Sequence, residues 1–250
     1  MASSRTHDID IAVPKPATLS ASAGGLPELR WLWVIAYKDL RQEWRSKAVT
    51  VATLFFSAIV LLVLGFAIGP SEAALANASA GILWVALAFA GVISAAQSYQ
   101  QELEENAFEQ LLLYPIPHAV IYLGKLLANW LLMLFLGLLL LPLSVLLFGT
   151  RLGEHWPWLL LTVLLGTLGF ALIACFYAAL TANLRARESL LPVLMFPVVV
   201  PVLIAAVQAT NEIVQLGNLA ISQDWLKLLA GFDLIYLVVC TAIYSYVVES

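Results

Sequence analysis

Apolar residues run through this chain in long stretches, and the polar segments between them are short. Crossing a hydrocarbon layer of ~30 Å takes about 20 apolar residues at ~1.5 Å each. Six windows are long enough: 48–69, 79–98, 120–148, 157–181, 190–208 and 226–248. The pattern therefore predicts an all-α integral membrane protein with six transmembrane helices. The expected breaks between windows are GPSEAALANAS, an acidic stretch, TRLGEHWP, the LRARES turn and a longer segment from Thr210 to Trp225.

Ahead of the first window, residues 28–47 interleave Trp33, Tyr37 and Trp44 with Arg30, Lys38, Arg41, Arg45 and Lys47. Leu29, Leu32, Trp33, Ala36, Tyr37 and Leu40 follow helical spacing. An N-terminal amphipathic helix in the interface is predicted, its basic residues toward anionic headgroups. Residues 1–27 are rich in Ser, Ala, Thr, Pro and Gly and lack the apolar core of a secretory signal, so they read as a disordered leader. If that leader is cytosolic, ten of the twelve Lys and Arg fall on the cytosolic side, leaving Arg151 and Lys227 outside. Positive charge accumulates inside, and six spans then return the C-terminus to the cytosol.

The stretch QSYQQELEENAFEQLLLYPIP, between windows two and three, breaks the apolar character most sharply. Glu102, Glu104, Glu105 and Glu109 form one face of a helix whose other face carries Leu103, Ala107, Phe108 and Leu111, and Pro115 and Pro117 would end it. A negative cytoplasmic leaflet repels such a helix, so it is expected to face a protein. A solvated charged loop is the plainer alternative.

Composition narrows the class. The 250 residues are 62% hydrophobic and only 11% charged, with mean hydropathy +0.93 and net charge -4. That balance, with no basic stripe outside the membrane-flanking segments, excludes a nucleic-acid binder. Cys175 and Cys240 fall inside apolar windows with no C-x-x-C or Cys/His metal spacing, and read as small packing residues.

A few residues inside the windows stand out. Asp233 lies about eight residues into the last one; starting the span after it would leave about 15 residues, or ~22 Å, too short to cross. Its carboxylate is therefore an intramembrane candidate facing a cavity or a partner, or else a shallow group within reach of headgroup water. Thr167, Ala171, Cys175 and Ala179 recur every four residues beside Gly166 and Gly169, a stripe suited to close helix packing within one subunit or between two. Pro192, Pro197 and Pro201 predict a bent fifth span, lining a path or merely packing. His155, Trp156 and Trp158 read as an outer aromatic belt, and His118 as a cytosolic loop residue.

Phosphate-loop, zinc-protease, nucleophile-elbow and dinucleotide motifs are absent, and the histidines are scattered at His7, His118 and His155. No catalytic residue, metal site or covalently bound cofactor is expected. Energy for transport must then come from a soluble partner.

The order of segments GILWVA, FEQLLLYPIP, GKLLANW, VLLGTLGFALIA and LLPVLMFPVVVPVLIAA, from about Leu29 to about Ala209, resembles CcmB, the haem exporter protein B family of cytochrome c maturation. The resemblance implies an ABC-2 type permease paired with a CcmA-like ATPase, which alone binds ATP. It also implies CcmC, CcmD and the haem chaperone CcmE as co-workers, a bacterial plasma (inner) membrane location, and either haem as cargo or release of haem-loaded CcmE. It places a cytosolic coupling helix on Glu102 to Leu113, with Glu104, Phe108, Glu109, Gln110 and Leu111 against the ATPase. Two ATPase subunits would need a second permease copy or a similar subunit. The tryptophan-rich haem-handling motif of CcmC is not present in this chain. The residues alone also admit a lipid or drug permease, or a non-transporting scaffold for assembly proteins.

Overall fold

The computed structural model describes residues 26–104, 116–150, 154–181, 187–217 and 219–249. They form seven long helices: α1 (Leu26–Ser46), α2 (Ala48–Ile68), α3 (Glu72–Glu104), α4 (His118–Phe148), α5 (Trp156–Thr181), α6 (Arg187–Asn211) and α7 (Leu219–Glu249). A short π-helical turn, Glu212–Leu216, extends α6. Six of the helices, α2 to α7, are long and apolar enough to cross a membrane. Of the expected leader, residues 1–27, Leu26 and Pro27 already belong to α1, and residues 1–25 lie outside the described residues, as does most of the acidic stretch, residues 105–115.

Two expected breaks turn out to be helical. Of GPSEAALANAS only Gly69 to Ser71 is non-helical, and α3 takes up the rest. The segment from Thr210 to Trp225 is likewise no loop, because α6 and its π turn run to Leu216 and α7 begins at Leu219. Hydropathy reports transfer into lipid rather than helicity, so polar end turns look like breaks. One such residue, Gln215, uses its side-chain amide to donate to the Ala76 carbonyl of α3. His118, expected in a loop, is the first residue of α4.

A single residue joins α1 to α2. Lys47 adopts φ 53°, ψ 7°, a left-handed conformation that non-glycine residues seldom take. Its N–H still donates to the Glu43 carbonyl at 2.6 Å. The Glu43 carboxylate, itself buried, accepts from both the backbone N–H and the hydroxyl of Thr50 at 2.7 Å. This satisfies a donor in the first turn of α2 and places negative charge at its positive end.

α1 meets the bundle along one side. Ile35 and Ala36 are buried, with Leu32 packed beside Ile35 against Ile116, Val120 and Ile121, whereas Leu29, Trp33 and Tyr37 are exposed. Gly124 of α4 decides this: a Cβ there would lie 2.8 Å from the Ile35 Cβ, so only glycine admits α1 this closely. The aromatics are thereby left on the outer face.

At the centre stand α3 and α5. Both pack on α4 and α6, with α2 against α3 and α7 against α5 and α6. Their contact depends on Gly166, where a Cβ would fall 2.1 Å from the Trp84 ring; Trp84 in turn donates its indole N–H to Thr210 Oγ1 at 2.9 Å. α6 runs unbroken through Pro192, Pro197 and Pro201, and the Tyr236 hydroxyl of α7 donates to the Val198 carbonyl at 3.0 Å.

Candidate functional site

The most polar part of the bundle lies where α3 leads into the acidic stretch. α3 has 33 residues, or ~50 Å at 1.5 Å each, so it outruns a ~30 Å hydrocarbon core. Tyr99, near its end, lies under the ammonium of Lys125, which sits 4.5 Å from the ring centroid. Lys125 is 1% exposed, and Asp39 of α1 provides a carboxylate at 3.8 Å. The other Asp39 oxygen pairs with Lys38 at 3.1 Å. A buried cation without such partners would cost several kcal/mol. Three helices are therefore tied at one point: α1 through Asp39, α3 through Tyr99 and α4 through Lys125.

One turn farther along α4 the tie extends to α5. Asn129 accepts from the Ser94 hydroxyl at 2.7 Å and donates to Cys175 Sγ at 3.4 Å. The Tyr122 hydroxyl donates to the Leu172 carbonyl at 2.8 Å, and its ring lies 5.0 Å from that of Tyr244 on α7. All of these side chains are buried. Chemically the cluster has no nucleophile–base pair. Structurally it is a junction that joins the end of α3 to α1, α4, α5 and α7.

Of the residues singled out for the ATPase contact, Glu102 and Glu104 belong to the last turn of α3, in unbroken helix with the span. Glu105, Phe108, Glu109, Gln110 and Leu111 lie outside the described residues. On the small-residue stripe, Thr167, Ala171 and Cys175 are buried within the single chain and Ala179 is partly buried. Both cysteines are free.

Asp233 is apart from this junction, midway along α7, and 5% exposed. Neither carboxylate oxygen has a hydrogen-bond partner among the described residues. The side chain occupies space left by Gly169 of α5, where a Cβ would lie 2.3 Å from Oδ1 and 3.0 Å from Val202 of α6. Three helices thus enclose an isolated acid. Such a group is costly in this setting and is characteristic of intramembrane functional positions.

Reading the sequence missed Lys125 as a structural centre and counted it only as a positive charge. The available signal was a lysine, an asparagine and a serine inside otherwise apolar windows, at Lys125, Asn129 and Ser94. Their partner Asp39 sits on a different element, which spacing does not reveal.

Comparison with known proteins bears on what the bundle does. The family model described as "CcmB protein" matches residues 30–249. The chain is 36% identical to heme exporter protein B of Pseudomonas aeruginosa over 181 residues, covering 70% of this chain and 79% of that protein. It is 33% identical to heme exporter protein B of Haemophilus influenzae over 172 residues, 69% and 77% of the two chains, and 32% identical to that of Escherichia coli over 183 residues, 72% and 81%. With a family match across nearly all of the described bundle and relatives aligned over most of both chains, this multi-pass membrane protein belongs to the CcmB family.

Proposed function

We propose that this chain is the non-catalytic permease subunit of an ATP-driven exporter in cytochrome c maturation, with haem as cargo or with haem-loaded CcmE released by the same cycle. The observation that carries this reading is membership of a family whose relatives bear the name heme exporter protein B. A CcmA-like ATPase docks on the acidic segment, with Glu102, Glu104, Glu105, Phe108, Glu109, Gln110 and Leu111 in contact. CcmC, CcmD and CcmE are its further partners, and a second copy or similar permease completes the pair. The protein lies in the bacterial inner membrane with both termini cytosolic, as its distribution of Lys and Arg favours.

The continuity of α3 supports the coupling part. A push on Glu104 travels along a rigid helix to Tyr99 and Ser94, and so to Lys125 and Asn129. Asp233 serves in this scheme as the intramembrane group whose surroundings change when α5, α6 and α7 shift.

The test is charge reversal at Glu104 and Glu109 in the intact complex. Co-purification of the ATPase and the yield of c-type cytochrome should both be lost. Normal function with Glu102, Glu104, Glu105 and Glu109 all changed to Gln would remove the docking role.

A further inference from the structure

We infer that the elbow between α1 and α2 is a seat for one anionic phospholipid. A cavity of about 870 Å³ opens there, lined on the α1 side by Tyr37, Arg41, Trp44 and Arg45, with Lys47 at the joint. Its far wall is hydrocarbon: Val51 of α2 and Leu131, Leu132 and Phe135 of α4. The two walls differ in the way a phospholipid does, cationic beside the head and apolar beside the upper acyl chains.

Charge supports this occupant specifically. Among the described residues no carboxylate is ion-paired with Arg41, Arg45 or Lys47. The one acid in the lining, Glu43, already accepts two hydrogen bonds from Thr50 through Oε1. Three cations and one acid therefore line the cavity, and among the described residues none of the three cations is ion-paired. Two guanidinium groups present forked donors suited to a phosphate, and basic pockets between membrane helices hold anionic headgroups. Trp44 and Tyr37, both strongly exposed, are side chains that settle at the headgroup level.

The backbone holds the seat in shape. Lys47 keeps its left-handed conformation because α1 is fastened to α4 by Asp39–Lys125 and Ile35 on Gly124, while Glu43 fastens the start of α2. The lipid thus becomes part of the joint between α1 and the first span. This goes beyond general attraction of a basic helix to a negative surface, because it names one site with an apolar wall.

Native mass spectrometry of the full-length protein, extracted from nanodiscs of phosphatidylcholine and phosphatidylglycerol at three to one, reads the occupancy. Wild type should retain one phosphatidylglycerol in preference to phosphatidylcholine. The triple variant Arg41→Gln, Arg45→Gln, Lys47→Gln should lower that retention at least about tenfold. Leu132→Trp, which fills the apolar wall without altering charge, should lower it as well, whereas Arg30→Gln, outside the cavity on the same helix, should not. Equal retention of the two lipids by wild type overturns the proposal, as does full retention of phosphatidylglycerol by the triple variant. Retention by Leu132→Trp at the wild-type level overturns it too, because that outcome means surface attraction without a seat.

Discussion

α3 and α5 on one side, and α2 and α7 on the other, are all apolar enough to span, yet they live in different surroundings. The inner pair bury 72% and 67% of their most apolar windows inside the protein, the outer pair 17% and 22%. The difference lies in side-chain size and polarity. α3 turns Ala80, Ala86, Ala90, Gly91, Ser94 and Ala95 to its neighbours, and α5 does the same with Gly166, Thr167, Gly169, Ala171, Ala174 and Cys175. α2 buries only Val49, Thr53, Ser57 and Leu61, one row at four-residue spacing, and exposes Phe55, Phe56, Val63 and Phe66. In lipid, apolar area does not distinguish inside from outside, so close approach and hydrogen bonds do the sorting.

If that is right, the inner polar groups should matter most. Asp39→Asn removes the carboxylate beside the buried Lys125 ammonium and should destabilise the bundle by about 3–5 kcal/mol, read as a fall in the thermal midpoint of the detergent-solubilised protein. Adding Lys125→Met to the same chain should recover a large part of the loss, because the cost is that of a buried cation deprived of its carboxylate. The double-mutant cycle measures this directly.

Packing gives the next effect. Gly166→Leu drives a side chain into Trp84 and should cost up to about 3 kcal/mol, whereas Gly231→Leu on α7, with nothing within 4 Å of its added Cβ, should be tolerated. Equal loss of stability in the two variants would erase the distinction between inner and outer helices.

Asp233 sharpens the comparison because it is an acid with no hydrogen-bond partner among the described residues, on an otherwise outer helix. Asp233→Leu should leave stability unchanged or raise it by about 1 kcal/mol, since an unpaired buried carboxylate gives way to a hydrophobe of similar size. The same variant should lower cytochrome c yield in cells. An ordinary yield would mean that the acid has no part in the cycle.

Much of the architecture could be read from residue order alone. Each of the six windows falls on one of the helices α2 to α7, and residues 28–46 of the amphipathic segment lie in α1. What escaped was local in one case and distant in the other. Helix ends were misjudged at Glu72 and Thr210 because their turns are polar, although polar residues continue a helix as readily as apolar ones. The site residues Lys125 and Asp233 differ in a similar way. Asp233 was conspicuous as a lone acid in an apolar run, while the role of Lys125 depends on Asp39 and Tyr99 from two other helices.

By itself the sequence determined that this protein carries six segments long and apolar enough to cross a membrane and belongs among the CcmB proteins, because hydropathy and motif order are properties of the linear chain. Tertiary structure decided which helices are central, which face of α1 meets the bundle, and where a buried cation finds its carboxylate. Those outcomes depend on the positions at which two helices can approach, at Gly124, Gly166 and Gly169, and a pairwise fit between distant elements is written in neither segment alone.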